Sequence, residues 1–211
     1  MNKKRKCLYK YDNLKDISEE NFKISNWKII DDCILNRTEK IENYYFFEKL
    51  KKDSKSFLGK INKEEIVSWL DSLTILNKLR KSKELDEKIK KDIVIFQEYL
   101  IPYSNNYRAD FLLCLGNKIL ILEFSYSKSA SKYNEKLLQA LRYKETLQTI
   151  IPRDYIVGQF IFTYFPEYEK DLEKIIRGNI QKNQKTLETL IKLINRFFDL
   201  ESSSKMLDSL E

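Results

Sequence analysis

Two acidic residues interrupt two otherwise apolar segments in the middle of the chain. Asp110 lies in RADFLLCL and Glu123 lies in KILILEF, and the dipeptide Gly116-Asn117, typical of a two-residue hairpin turn, joins the segments. A two-residue turn fixes the register of the hairpin and places Asp110 directly opposite Glu123. Because side chains alternate along a strand, both carboxylates are predicted on one face of the sheet. Paired buried acids destabilise a sheet unless a cation offsets their charge.

Two kinds of cation could offset this pair. A hard divalent ion such as Mg²⁺ is bound by carboxylates together with waters. The same register places Arg108 on the acid face, opposite Ser125, where it could form a partly buried ion cluster with Asp110 and Glu123. The residue types alone leave both interpretations open.

Composition excludes several classes of chemistry. The 211 residues contain no histidine, which excludes histidine bases, histidine-dependent nucleophiles and histidine zinc sites. Three scattered cysteines without a CxxC pair argue against a disulfide framework or a structural zinc site. The net charge of +7 suits a phosphate-bearing partner such as nucleic acid. No segment has the length of a membrane span or the apolar run of a signal peptide, so we expect a cytoplasmic protein without membrane contacts.

Hydrophobic periodicity predicts an α/β domain around the hairpin. The predicted segments are, in chain order, helices over 42–52 and 64–80, a strand over 93–101, the hairpin over 108–126, a helix over 132–150, a strand over 155–165 and helices over 170–177 and 184–200. This order is typical of a central mixed sheet of about four strands flanked by helices. The predicted organisation is an arm and helix over 1–55 packed on the core, a main domain over 56–200 and a frayed tail over 201–211.

Two helices are assigned a core face. In the 64–80 helix Trp69 lies on the apolar stripe, so it is predicted to be a core residue rather than a base-stacking platform. In the 132–150 helix the leucines are predicted to face the core; they are Leu137, Leu138, Leu141 and Leu147.

The acids, the hairpin and the flanking segments together resemble the PD-(D/E)XK nuclease superfamily. The resemblance covers roughly residues 64–164, through KEEIVSWLDSL, IVIFQEYLIPYSNNYRADFLL, KILILEFSY and EKLLQALRYKETL. It looks like the nuclease-like domain at the front of some bacterial helicase-type proteins. The resemblance implies a restriction-endonuclease-like fold and cleavage of nucleic acid, DNA in particular, with Mg²⁺ or Mn²⁺ as cofactor. It also suggests a role in anti-phage defence or DNA processing.

Roles for individual residues follow from the resemblance by position. It implies that Asp110, Glu123 and Glu65 bind the metal, and that Gln139 joins these three in the catalytic site. Because Glu64 precedes Glu65, one of the two could instead only stabilise the helix N-terminus.

The sequence departs from the family at one position. The lysine that follows the second acid in the family is replaced by Ser125. Either another cation substitutes or the chain no longer cuts, and Lys128 is the predicted substitute, whereas Lys144 is turned away. Arg108 could reach a phosphate but is always protonated and so is a poor base.

These alternatives define three hypotheses. The first is a metal-dependent nuclease. The second is a catalytically degenerate module that binds nucleic acid or a helicase-type protein supplied in trans. The third is a structural subunit whose acids form only ion pairs.

Several residues near the acids could contact nucleic acid. The residues expected to do so are Arg108, Ser125, Lys128 and Tyr143. Tyrosines predicted close to the acids could stack on bases; they are Tyr103, Tyr107, Tyr126, Tyr133 and Tyr143. Glu98, in the 93–101 strand, is interpreted either as a further acid that reaches the site or as an acid at the edge of the sheet.

Overall fold

A computed structural model describes residues 6–18, 45–104, 107–125, 130–163 and 187–199. Its elements are, in chain order, β1 (Tyr9–Tyr11), a 3-10 helix (Leu14–Asp16), α1 (Tyr45–Leu58), α2 (Lys63–Lys81), α3 (Glu87–Asp92), β2 (Val94–Leu100), β3 (Arg108–Leu115), β4 (Lys118–Ser125), α4 (Ala130–Ile150), β5 (Ile156–Thr163) and α5 (187–198). The predicted helix over 170–177 and the tail over 201–211 lie outside the described residues, as do Tyr126 and Lys128. None of the helices in the described part of the chain is long and apolar enough to cross a membrane.

The strands form one mixed sheet in the order β1-β2-β3-β4-β5. Strands β1 to β4 pair antiparallel, and β5 pairs parallel to β4 after the α4 crossover. The predicted α/β class and mixed sheet are confirmed, with one strand more than the four expected. The additional strand, β1, is too short for a recognisable pattern and pairs with residues 86 positions away, Lys10 with Phe96. The predicted boundary between residues 55 and 56 falls inside α1.

The hairpin has the predicted register. Gly116 adopts φ 57°, a conformation that glycine accepts without steric cost, and with Asn117 it forms a two-residue turn. Leu115 then pairs with Lys118, and the ladder continues to the pair formed by Phe111 and Leu122.

Both faces of the sheet are covered by helices. The larger core joins one face to α1, α2, α5 and the 3-10 helix, and it includes Trp69, which is 5% exposed as predicted. On the other face, Tyr143 and Leu147 of α4 pack on Leu112 and Ile121. A layered α/β arrangement therefore surrounds the hairpin, and only the ends of its strands can reach solvent.

The orientation of α4 differs from the prediction. Leu138 is 56% exposed, whereas Ala140 and Tyr143 are buried. The prediction is based on the leucines, but the buried residues of α4 are Ala140, Tyr143 and Leu147. They are spaced by three and four residues, as expected for one face of a helix. Lys136, one turn before Ala140, therefore points toward the sheet.

Candidate functional site

At the end of the β3–β4 pair, the side chains of the two hairpin acids accept hydrogen bonds from the main chain of the facing strand. The main-chain N–H of Phe124 donates to Asp110 Oδ2 at 2.8 Å, and the N–H of Asp110 donates to Glu123 Oε1 at 3.1 Å. The last regular pair of this ladder is Phe111 with Leu122. At the next position, the carboxylates replace main-chain carbonyls as hydrogen-bond acceptors. The predicted proximity of Asp110 and Glu123 is confirmed.

A lysine of α4 binds both acids. Lys136 Nζ lies 2.8 Å from Glu123 Oε2 and 3.3 Å from Asp110 Oδ2. An ion cluster around the two acids, one of the two interpretations left open by the sequence, therefore exists, but its cation is Lys136 rather than Arg108. Sequence reasoning considered only Lys128 and Lys144 as substitute lysines. Lys136 lies four residues before Ala140, so the two residues share one helix face. The face predicted from the leucines does not contain Lys136.

Arg108 instead pairs with acids of α2 and β2. Its Nη2 donates to Glu65 Oε1 at 2.9 Å, and its Nη1 lies 2.8 Å from Glu98 Oε2 without hydrogen-bond alignment. Glu65 lies in the first turn of α2, where Asn62 is the N-cap and accepts from the Glu65 N–H at 2.7 Å. The Glu65 side chain is thus committed to Arg108 rather than to capping.

Glu98 is an interior residue of the sheet. Strand β2 lies between β1 and β3, so the interpretation of Glu98 as an edge acid is wrong. The side chain is 4% exposed and accepts from Trp69 Nε1 at 2.8 Å. In the register of β2 and β3, the position opposite Asp110 is Glu98. Asp110 therefore has a glutamate beside it on each neighbouring strand, Glu98 on β2 and Glu123 on β4.

The backbone of Glu98 breaks the alternation of β2. Its φ is 52°, in the left-handed region that residues other than glycine rarely adopt. Gln97 bonds Tyr11 on the α2 side of the sheet, Glu98 bonds Trp69 on the same side, and Tyr99 packs on the α4 side. Strict alternation would have pointed Glu98 toward α4. The left-handed residue is what directs its carboxylate to Trp69 and Arg108.

A cavity of about 290 Å³ brings these groups together. It is lined from α2, β2, β3 and α4 by residues that include Glu65, Glu98, Arg108, Asp110 and Lys136. A larger cavity, of about 1400 Å³, lies between the start of α3 and α5, and its lining contains none of these side chains. The convergence of charged groups, rather than volume, identifies the smaller cavity as the candidate site.

The remaining predicted residues are placed as follows. Gln139 lines the cavity and its Nε2 donates to the Tyr143 hydroxyl. Tyr143 is 1% exposed and burial raises its pKa to about 12, so its ring is a core group rather than a surface for nucleic acid. Ser125 is buried, pairs with Thr163 and does not line the cavity, so its predicted contact with nucleic acid stays a prediction.

The site holds more acidic than basic side chains. Four carboxylates, those of Glu65, Glu98, Asp110 and Glu123, face two cations. Burial, and then the charge of Asp110, raise the pKa of both Glu98 and Glu123. Burial lowers the pKa of Lys136, but the negative charges of Asp110 and Glu123 outweigh it and raise the pKa above its ordinary value. Lys136 is therefore protonated at neutral pH and cannot serve as a general base.

A bound divalent cation would balance the charge of the fully ionised site. When ionised, the four acids exceed the two cations by two charges, which is the charge of Mg²⁺ or Mn²⁺. Among the described residues, no three acidic or cysteine side chains are arranged to hold a metal ion together. Glu65, the predicted third ligand, is accordingly separate from the hairpin pair. Mg²⁺ is commonly bound through one or two carboxylates, with waters and substrate phosphate completing its coordination, and Asp110 and Glu123 are two adjacent carboxylates of this kind.

No family model matches the chain, and comparisons with curated proteins and with solved structures likewise found no match.

Proposed function

We propose that this chain is a metal-dependent nuclease that hydrolyses phosphodiester bonds of nucleic acid, DNA in particular. One observation carries the proposal: Asp110 and Glu123 lie side by side at the end of a hairpin, and Lys136 Nζ binds both. Two carboxylates joined by a lysine are the residue types that the resemblance to PD-(D/E)XK nucleases requires. Lys136 supplies from a helix the cation that the family has where this chain has Ser125.

Asp110 and Glu123 would hold Mg²⁺ or Mn²⁺ in this proposal. When bound, the ion polarises a phosphate and lowers the pKa of a bound water. The carboxylates are already fixed, because each accepts a main-chain N–H of the neighbouring strand. Such preorganisation limits the movement needed when substrate binds.

Lys136 acts as a fixed positive charge. Its raised pKa keeps it protonated, so it can donate hydrogen bonds to an attacking water or to a phosphate oxygen that gains negative charge. Arg108 acts as a second cation on the cavity wall. Glu65 and Glu98 hold its guanidinium from two sides, which orients it toward the phosphate next to the bond being cut.

A second function is favoured by a separate observation. Both cations of the cavity are paired with carboxylates, Lys136 with the hairpin acids and Arg108 with Glu65 and Glu98. A chain whose site is neutralised internally could bind nucleic acid or a helicase-type partner without cutting. Roles in anti-phage defence or DNA processing rest on the family resemblance in either case.

The two functions are separated by a cleavage assay on purified protein. Linear, circular and single-stranded DNA and RNA are incubated with Mg²⁺, Mn²⁺ or EDTA. We expect metal-dependent cutting that is lost in Asp110→Asn and in Glu123→Gln. These substitutions keep an oxygen acceptor for the strand N–H groups, so loss of activity reports on charge rather than on unfolding.

Glu145→Gln is the matched control, because Glu145 is an exposed acid of α4 outside the cavity. It should cut like the unmodified protein. Salt-sensitive binding of DNA without cutting in either metal would favour the second function. Cutting that survives in both Asp110→Asn and Glu123→Gln would overturn the proposed site.

A further inference from the structure

The segment between β2 and β3 carries two exposed tyrosines, and one of them, Tyr107, lines the candidate site. Tyr107 is 48% exposed and lines the same cavity as Asp110. Tyr103 is 90% exposed and belongs to neither hydrophobic core. Both rings are therefore accessible to a ligand.

Tyr107 is supported as a platform. Its ring centroid lies 6.1 Å from that of Tyr143, and the Tyr143 ring is itself buried against α4 and the sheet. The carbonyl of Tyr107 accepts from the N–H of Ile101 at 2.9 Å, which fixes the main chain just before β3. A ring that touches a buried ring and is about half exposed can contact a further flat ring without a large rearrangement.

The turn that carries Tyr103 is held in an unfavourable conformation. Tyr103 has φ 58°, in the left-handed region that bulky residues rarely adopt. The next residue, Ser104, donates to the carbonyl of Ile101 from its hydroxyl at 2.6 Å and from its N–H at 3.4 Å. Left-handed residues other than glycine often occur at functional sites, where a particular side-chain direction is required.

The neighbours of these rings indicate the chemistry of the ligand. Arg108 directly follows Tyr107, and its guanidinium and Lys136 both border the cavity. A ring surface next to two cations matches a nucleotide unit, in which a flat base is attached to a phosphate.

We propose that Tyr107 stacks on an unpaired base, with Tyr103 of the same segment as a secondary contact, and that this site takes single-stranded nucleic acid. The inference rests on the proposed function of the same cavity. In a duplex both faces of a base are covered by its neighbours, so a tyrosine can stack only where the strand is single or frayed. The stacked base would place the adjoining phosphate near Arg108 and the hairpin acids.

The test measures binding separately from cutting. Asp110→Asn protein in EDTA is titrated into fluorescently labelled single-stranded and duplex DNA of one sequence, and fluorescence anisotropy gives the dissociation constants. We expect the single strand to bind more tightly. Adding Tyr107→Ala should weaken single-strand binding by about 5- to 100-fold, the range for loss of one stacked base, and Tyr107→Phe should retain it. Tyr103→Ala should weaken it less.

Two variants keep the test interpretable. Tyr103→Ala changes a side chain that is almost wholly exposed, so its effect cannot come from unfolding. Tyr45→Ala removes another exposed ring, at the start of α1, and should leave binding unchanged. Equal binding of single strand and duplex, or single-strand binding that neither tyrosine variant weakens, would overturn the inference.

The result also distinguishes this inference from the proposed nuclease function. If unmodified protein cuts single strand and duplex equally with metal, the nuclease function stands and the strand preference fails. If the protein neither binds nor cuts any nucleic acid, both fail.

Discussion

Lys136 Nζ lies 2.8 Å from Glu123 Oε2, so a lysine of α4 neutralises a carboxylate that is completely buried in β4. The contact joins the helix to the end of the hairpin. It also supplies a cation at the one place where the resemblance to PD-(D/E)XK nucleases lacks one.

Replacing this lysine tests whether it takes part in the chemistry. In Lys136→Met the side chain keeps its apolar length but loses its charge, and we expect cleavage to fall by about 100-fold or more, as when one donor to a developing oxyanion is removed. The rate of metal-dependent cleavage under single-turnover conditions measures this.

The control for this variant lies on the same helix. Lys144→Met removes a charge outside the cavity lining and should cleave like the unmodified protein. If Lys136→Met cleaves normally while Asp110→Asn does not, Lys136 has a structural role only.

The stability of the metal-free protein should depend on pH through its buried acids. Burial and the charge of Asp110 raise the pKa of Glu98 and of Glu123 from 4.5 to about 8. A carboxyl whose pKa is raised on folding contributes stability that is fully present below pH 4.5 and is lost as the pH rises through 8. In EDTA we therefore expect this contribution to Tm to fall between about pH 5 and pH 9.

Glu98→Gln isolates the effect, because glutamine has the same shape and does not ionise. The difference between its Tm and that of the unmodified protein should increase with pH. The increase should be about 2–4 °C for each kcal/mol by which the free energy of unfolding of the unmodified protein falls. Added Mg²⁺ should raise the Tm of the unmodified protein more at high pH, where the acids are ionised. A difference in Tm that does not vary with pH would show that the Glu98 pKa is unshifted.

The left-handed backbone at Glu98 predicts an inverted preference between alanine and glycine. Glu98→Ala and Glu98→Gly both remove the bonds to Trp69 and Arg108, so their difference reflects the main chain. At φ 52° glycine should be more stable than alanine by about 1 kcal/mol, measured by urea unfolding.

Gln97 provides the comparison, since it is the preceding buried residue of β2 and does not have positive φ. At that position alanine should be more stable than glycine by about 0.5–1 kcal/mol, as is usual in strands. The same order at both positions would contradict the left-handed conformation of Glu98.

Packing of α5 on β5 depends on a glycine. A Cβ added at Gly158 would lie 2.5 Å from Phe197 Cε2. Gly158→Ala should therefore lower the free energy of unfolding by about 1–3 kcal/mol, the usual effect of overpacking. Combining it with Phe197→Leu should cost less than the sum of the two single changes. Strict additivity would show that the two positions do not touch.

The hairpin could be predicted from the sequence because its determinants are local. Gly116-Asn117 fixes the turn, the turn fixes the register, and the register places Asp110 opposite Glu123. Likewise the regular apolar spacing of α2 correctly predicts that Trp69 is buried.

The remainder of the site depends on relations that the local sequence does not contain. Lys136 reaches the acids only in one rotation of α4, and that rotation is set by packing on the sheet rather than by the leucine count. Glu98 faces Arg108 because Glu98 itself has a left-handed backbone conformation, which the surrounding sequence does not predict. The pairing of β1 with β2 likewise joins segments far apart in the chain.

The hydrogen bonds between the hairpin acids and the main chain allow metal binding to be followed by NMR. The amides of Asp110 and Phe124 donate to the carboxylates of Glu123 and Asp110, the pair proposed to hold the metal. A cation that withdraws electron density from those oxygens must weaken both hydrogen bonds. The backbone ¹H–¹⁵N resonances of Asp110 and Phe124 should therefore shift when the protein is titrated with metal. They would report occupancy of the metal site in the absence of substrate.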